Sequence, residues 1–576
     1  MQKQDHSCII QFQKADNVGI ALSDLQAGQE YPLYTCNGEH LGSLRISETQ
    51  PSWSFEPSAG SAVPRYHKVA TKPIAQNDPI IKDAVPIGLA SEEVMTGQLV
   101  HQRIEIAAGH MVRRGGNILE YPNLFSPPPE KMATLASAYT VSREGFEKPP
   151  AMRPPSAQNA PEMEMLADAP LISVYRRAGN AAGSRCHILV IPSVFCVNQE
   201  AIEITEPFRN ASWGENGENM VHALTHNSGC CQIGFDEEVT LRTLTNMACH
   251  PNVGGVLIVS LGCSPLCVND RLVEAVRKKA NDTLVHSVHI QDDGRAAAIK
   301  TGQARVEDML TVLKARKREK IALSCILLSV KCGGSDPTSG LFSNSAIGHV
   351  ADWFLDRKAT VVISEIMEYF GAERILNKRC RDYGVWLDLL RLIKTNEMIG
   401  KSAAVAAEQD LHSVELTLGN MKAGLSTQEE KSLGAIRKMG FRHPIENVAR
   451  FADRITGHRH GLYVMDGPGQ DLLSASGMAA AGCQTMLFST GIGTPLGNAV
   501  TPVIKITGNE DTFSRHSDFI DVFIPFHKML DGGLSAEAIA LETLLPEVIA
   551  VLEGKKTKAE QNRHRDFAIR NYMMVQ

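Results

Sequence analysis

The stretch Ile321-Ala322-Leu323-Ser324-Cys325-Ile326-Leu327-Leu328-Ser329-Val330 runs straight into Lys331-Cys332-Gly333-Gly334-Ser335-Asp336. Its first ten residues are largely apolar without strict alternation, so neither face is reserved for water. Strands buried on both faces read this way, and they belong to parallel sheets covered by helices. The next six residues break the run with two glycines and present an ammonium, a thiol and a carboxylate. Ligands of open α/β sheets bind beyond the carboxyl ends of the strands, so this turn is where chemistry is expected.

The pattern repeats on both sides. Further apolar runs lie at 186–197, 256–261, 360–363, 461–465 and 485–488, alternating with amphipathic segments at 238–249, 265–278, 306–318, 346–358 and 369–386. Four of the runs end in Gly262-Cys263-Ser264, Ser364-Glu365-Ile366-Met367-Glu368, Asp466-Gly467-Pro468-Gly469 and Ser489-Thr490-Gly491-Ile492-Gly493. Glycines let backbone amides approach an anion, while Cys, Asp and Glu side chains hold metals or move protons. Each feature also has a plain reading. Cys263 and Cys332 suit buried small hydrophobes, Glu365 and Glu368 suit a helix N-terminus, and His458 and His460 suit solvated surface. A third Cys stands in His226-Asn227-Ser228-Gly229-Cys230, which tilts the cysteines toward function. The glycines from Gly491 to Gly497 lead into an extended run holding Pro502, not into the helix N-terminus that a dinucleotide needs. No phosphate loop for ATP is present.

The chain has 576 residues, too many for one core, so two to four domains are expected. With 43% hydrophobic and 21% charged residues, mean hydropathy −0.13 and net charge −6, it reads as a globular α/β protein without a nucleic-acid stripe. No apolar run approaches the roughly 20 residues that span a bilayer. The N-terminus lacks signal-peptide character, and the thirteen cysteines form no disulfide framework, so a reduced, cytoplasmic setting is expected. Short alternating strands between Gly, Asn and Asp breaks mark residues 8–106 as a small β domain. Residues 107–168, with Ser126-Pro127-Pro128-Pro129, Lys148-Pro149-Pro150 and Arg153-Pro154-Pro155, read as a proline-rich linker. Residues 169–395 then form an α/β catalytic domain and 396–576 a C-terminal α/β domain, both with parallel sheets.

The chain resembles the altronate and galactarate dehydratases, to which sulfolactate sulfo-lyase is related. The motifs are His250-Pro251-Asn252-Val253-Gly254-Gly255 leading to Gly262-Cys263, then Lys331 to Asp336 with Ser339-Gly340, Asn344 and Gly348. Ser364-Glu365, Glu368, Gly371-Ala372-Glu373, Gly419-Asn420 and Glu430-Lys431-Ser432-Leu433-Gly434 follow. Asp466, Pro468-Gly469, Asp471, Gly477-Met478, Thr490-Gly491, Pro502 and Ile504-Lys505 complete the series. The front of the chain, with Asp16-Asn17-Val18, His67-Lys68-Val69-Ala70, Ile87-Gly88 and Val100-His101, resembles the family's SAF-type domain.

The resemblance implies dehydration of a sugar acid to a 2-keto-3-deoxy acid, assisted by Fe²⁺, Mn²⁺ or another divalent ion that stabilises the enolate. It implies Asp336, Glu365 and Glu368 as oxygen ligands or bases, and His226 and His101 as nitrogen ligands or acid/base groups. Lys331 and Lys505 become carboxylate anchors, with Gly333, Gly334, Ser335, Asn344, Asn420, Thr490 and Gly491 around the substrate. Cys230, Cys263 and Cys332 are candidate iron ligands, with an iron–sulfur cluster ranked behind a single ion. The partners expected are a small hydroxy or sugar acid and further copies of the chain in a homo-oligomer, with neither nucleic acid nor membrane. Several family positions differ. Residues 177–186 lack an Asp, an Arg and an Asn, and Arg103, Ile104, Ser264, Cys231, Met421, Ile492, Ala499 and Phe523 replace the usual residues. These changes keep two alternatives open: a C–S lyase for a sulfolactate-like substrate, and a paralogue that binds a sugar acid without turnover.

Overall fold

The computed structural model describes residues 7–51, 61–107, 110–119, 171–178, 181–263, 270–280, 282–406, 416–455 and 460–572. Nearly all of the expected linker, as well as Ser264 and His458, lies outside the described residues.

The deciding run forms two strands, Glu319–Ala322 and Leu327–Cys332, separated by a tight 3-10 turn at Leu323–Cys325. Leu327–Cys332 is buried at every position, which accounts for its lack of alternation. It sits at the middle of a seven-stranded sheet. In spatial order the strands are Ile445–Ala449, Gly461–Met465, Thr360–Ile363, Leu327–Cys332, Thr485–Ser489, Val503–Thr507 and Val522–Phe523. All neighbours pair in parallel, so every carboxyl end lies along one edge. The domain boundary expected at 395/396 therefore falls inside a single hydrogen-bonded sheet and has to be withdrawn.

A second sheet is built from Ser212–Trp213, Asn219–Ala223, His187–Pro192, Val253–Ser260 and Leu284–His289, parallel except for the short antiparallel first strand. Helices Asn198–Thr205, Phe235–Ala248 and Arg295–Leu313 pack against it. The run at 256–261 thus belongs to this sheet and does not share an edge with the Lys331 turn. The segment expected as one helix at 369–386 is divided into Glu373–Arg379 and Tyr383–Ala406.

Residues 9–119 carry short strands, as their turn-punctuated pattern predicts. One sheet orders His40–Arg45, Glu30–Thr35, Ile9–Gln11, Val18–Ala21, Lys68–Ala70 and Leu99–Val100. This β domain docks on the seven-stranded unit through buried charge. Lys68 and Lys82 reach the Glu430 carboxylate at 2.8 and 2.6 Å, and Ser426 donates to the same carboxylate from its backbone N and Oγ at 2.9 and 2.8 Å. Arg437 pairs with Asp83, and Arg65 pairs with Asp511 at 2.6 Å. Burial pushes the Glu430 carboxyl up, but the two lysines outweigh it and hold the group well below the usual range.

A carboxyl held down in the folded state contributes stability above its ordinary value of about 4.3 and loses it as pH falls toward the folded value. Glu430→Gln strands Lys68, which is fully buried. Breaking such a buried pair is expected to cost about 3–5 kcal/mol in urea titrations at pH 7. The gap to the unmodified protein should narrow as pH falls below about 4. A gap independent of pH would show that the pair does not hold the two units together.

Candidate active site

Two turns at the edge of the seven-stranded sheet bring three acidic groups together. Strand Leu327–Cys332 ends on Cys332, and Thr360–Ile363 delivers Glu365 and Glu368 through a 3-10 turn at Ile366–Tyr369. The Cys332 sulfur and one oxygen of each glutamate all lie within 4.8 Å of one another. Glu365 has φ +70°, a left-handed conformation that costs a non-glycine residue energy and aims its carboxylate inward. That carboxylate accepts from Lys331 and, at 3.2 Å, from the backbone N of Cys332.

Two lysines balance the cluster. Lys331 donates to Glu365 and, at 2.8 Å, to Asp471. Asp471 closes in over Gly333, where a Cβ would stand 2.4 Å from its Oδ2, so this glycine makes room for the pair. Lys438 lies 2.7 Å from Cys332 Sγ, 3.2 Å from Glu365 Oε2 and 3.1 Å from Glu368 Oε2. Lys331, Lys438, Glu365 and Glu368 are all buried. Burial and the neighbouring Glu368 push the Cys332 thiol up to about 12, so it stays protonated and donates to Glu368 at 3.1 Å. Burial also pushes Glu368 up, but Lys438 and then Lys431 outweigh it, leaving it ionised and below the usual range.

A narrow cleft opens between the β domain and the seven-stranded unit. Lys82 and Asp83 line it from the β domain, and Ser335, Asp336, Asn344, Lys431 and Arg437 from the other side. Lys431 joins the two features, because its ammonium stands 3.9 Å from Glu368 Oε1. Asn344 donates to Gly434 O at 2.9 Å, while its buried Oδ1 has no hydrogen-bond partner among the described residues.

Not every residue expected at the site joins it. Asp336 lines the cleft, but its Oδ1 accepts from Thr338 and Ser339 and its Oδ2 from Asn509 at 2.8 Å; with both oxygens engaged it shapes the turn and is no ligand here. Gly491 allows this approach, since a Cβ there would lie 2.2 Å from Asp336 Oδ1. Gly334 O accepts from Gly491 and Ile492, Asn420 donates to Ser335 O at 2.7 Å, and Thr490 Oγ1 accepts from Gly493 N; these groups brace the loops. Lys331 is saturated by protein carboxylates and cannot also anchor a substrate carboxylate. Lys505 is buried, its ammonium has no hydrogen-bond partner among the described residues, and burial draws it down to about 8.

His226 lies at the edge of the second sheet. Its Nδ1 accepts from Ser228 N at 3.2 Å, so Nε2 carries the proton donated to Pro192 O at 2.8 Å. Burial holds it neutral, down to about 4, and both ring nitrogens are engaged by backbone groups. His101 is buried in the β domain with its ring 5.2 Å from that of His67, outside the Cys332 group. Cys230 and Cys263 are exposed on loops that follow strands of the second sheet, whereas Cys332 is buried in the seven-stranded one. Lys438, Lys431 and Arg437 were not among the site residues expected from sequence. Nothing in the pattern around Arg437-Lys438-Met439 marks a lysine that turns inward.

The fold and site agree with comparisons to known proteins. Residues 7–108 match the altronate/galactarate dehydratase SAF domain. Residues 174–314 match the second domain of D-galactarate dehydratase/altronate hydrolase, and 323–575 the C-terminal domain of D-galactarate/altronate dehydratase. The chain is 30% identical to altronate dehydratase of Escherichia coli over 97% of its length and 98% of that protein. It is 29% identical to altronate dehydratase of Bacillus subtilis over 97% and 98%. It is also 29% identical to the (2R)-sulfolactate sulfo-lyase subunit beta of Chromohalobacter salexigens, over 69% of this chain and 96% of that one. These matches define a three-part SAF and α/β architecture. The chain belongs to the altronate/galactarate dehydratase family.

A thiol with two carboxylates suits iron by donor type. Lys438, however, faces all three donors, so as folded here the residues do not fit an ion and an ammonium together. Lys438→Met should remove this competitor and tighten Mn²⁺ binding at least tenfold in calorimetric titration. An unchanged affinity would separate metal binding from this cluster.

Proposed function

We propose that this chain is a hydro-lyase that dehydrates a sugar acid to a 2-keto-3-deoxy acid. The observation that carries the reading is the ionised Glu368, fixed between Lys438 and the cleft-lining Lys431. The proton beside a carboxylate is too weakly acidic to leave unaided, and it becomes removable when charge developing on the acid meets fixed cations. In this reading Lys431 and Arg437 receive the substrate carboxylate, and the free Oδ1 of Asn344 accepts from a hydroxyl. Glu368 takes the proton from the carbon next to the carboxylate. The hydroxyl on the following carbon leaves, takes up the proton that Glu368 has collected and departs as water, and the resulting enol tautomerises to the ketone.

The dehydratase assignment is preferred over C–S cleavage because the altronate dehydratases match over 97% of the chain, β domain included, against 69% for the sulfo-lyase subunit.

Purified protein incubated with a panel of aldonic, aldaric and sulfonated hydroxy acids should release 2-keto-3-deoxy acid from an aldonate. Release of sulfite alone, or no product from folded protein, would overturn the assignment. Lys431→Met should lower kcat/KM roughly 10- to 150-fold, the value of one hydrogen bond to a charged group. Its melting temperature should stay close to that of the unmodified protein, because Lys431 is not part of the fully buried set.

A further inference from the structure

Away from the lysine-balanced cluster, a second small cavity is enclosed by segments from different parts of the fold. Strands His187–Pro192 and Asn219–Ala223 of the second sheet supply His187 and His222. Residues 498–502, which lead into strand Val503–Thr507, supply the apolar Ala499 and Pro502. The turn after the short helix Lys558–Gln561 supplies His564 and Arg565. The catalytic turns follow the carboxyl ends of the seven-stranded sheet, whereas residues 498–502 precede one of its strands. The cavity therefore lies at the opposite edge.

Its polar wall is made of nitrogens that the protein leaves unused. His222 is only 4% exposed, and neither of its ring nitrogens has a hydrogen-bond partner among the described residues, although the Ala499 backbone lies against it. His564 Nδ1 and Arg565 Nε are buried and likewise without a partner among those residues. Arg565 Nη2 meets the Met220 sulfur at 3.1 Å, and no carboxylate among the described residues is bonded to this guanidinium. His187, whose ring centroid is 5.0 Å from that of His222, accepts from Met220 N at its Nδ1, which leaves Nε2 as a donor. The carboxylate on the wall, Glu560, is already engaged by Arg185 at 2.8 and 2.9 Å and by Thr557 N at 2.9 Å. Buried polar groups are ordinarily hydrogen-bonded, so several orphans around one space mark a missing partner.

We propose that this cavity binds a halide ion, chloride in the cell, which ties the second sheet to the seven-stranded unit. Arg565 supplies the charge. Burial, followed by the neighbouring Arg565, draws His222 down to about 3, and burial also holds His187 well below the usual range, so both rings are neutral and offer N–H donors. A metal ion is opposed by Arg565, and among the described residues the only three ligand atoms within 4.8 Å of one another are those of Cys332, Glu365 and Glu368. The space holds about one water-sized sphere, too little for a sugar acid or for the four oxygens of sulfate or phosphate. A halide accepts hydrogen bonds from any direction and rests against Ala499 and Pro502 without needing a partner there. A water molecule would satisfy the donors but leave the guanidinium without a counter-charge, which is costly in a buried site. Because the walls come from both units, an ion bound only by the folded chain stabilises their contact by mass action.

The full chain is dialysed into potassium glutamate, and its melting temperature is followed as chloride, bromide or sulfate replaces glutamate at constant ionic strength. A saturable rise with chloride and bromide is expected. Arg565→Met and His222→Leu should each move the midpoint of that rise to roughly 10- to 150-fold higher halide concentration, the value of one hydrogen bond to a charged group. Arg563→Met, at an exposed neighbouring cation, should leave the midpoint unchanged. Crystals grown in bromide should show an anomalous peak between His222 and Arg565, a readout that holds even if His222→Leu does not fold. A response to sulfate but not to halides, the same midpoint in Arg565→Met as in the unmodified protein, or water alone in the bromide crystals would overturn the proposal. No turnover is measured, so its failure and that of the dehydratase reading, which Lys431→Met tests, are seen separately.

Discussion

Two ammonium groups and two carboxylates can share a dry site only if each charge is met by its opposite within hydrogen-bond reach. Lys331 and Lys438 are paired in this way with Glu365, Glu368 and the partly exposed Asp471. A single charge left alone in such surroundings costs several kcal/mol, so the group stands or falls together. The same balance sets the chemistry. Glu368 stays ionised because Lys438 touches it, and Cys332 stays a thiol because burial and Glu368 oppose its ionisation.

The parallel sheet makes this economy attainable. Its strands end along one edge, so Cys332 and Glu365, 33 residues apart in sequence, are placed by adjacent strands. Backbone accommodations then adjust the distances. A glycine at 333 admits Asp471, a glycine at 491 admits Asp336, and the left-handed turn at Glu365 redirects its side chain. The β domain closes the remaining side with a second buried ion group, Lys68 and Lys82 on Glu430, and thereby places Lys82 and Asp83 on the cleft wall. Stability of the domain contact and shape of the cleft come from the same residues.

Sulfur is sorted by environment. Cys332 lies among opposed charges and stays a thiol, whereas Cys196, Cys230, Cys231 and Cys263 are exposed on loops that follow strands of the other sheet. Sequence spacing offered no reason to group them this way, because Cys230, Cys263 and Cys332 look alike as loop cysteines beside glycine or at strand ends. Which sheet a strand joins is a long-range matter, and it decided the grouping.

What the residues alone determined was the local grammar. Non-alternating apolar runs such as 321–330 announced strands covered on both faces, because only burial on both sides tolerates that composition. The short punctuated strands of the first hundred residues, the Lys331–Asp336 turn and the Glu365/Glu368 pair were legible for the same local reasons, and family motifs supplied the rest of the expectation. The tertiary structure alone decided which charges meet. It turned Lys438 inward, spent Lys331 on protein carboxylates, engaged Asp336 and His226 in structural hydrogen bonds, and made one sheet of strands on either side of residue 395. Burial and pairing depend on distances between segments far apart in the chain, and no pattern read along the sequence carries those distances.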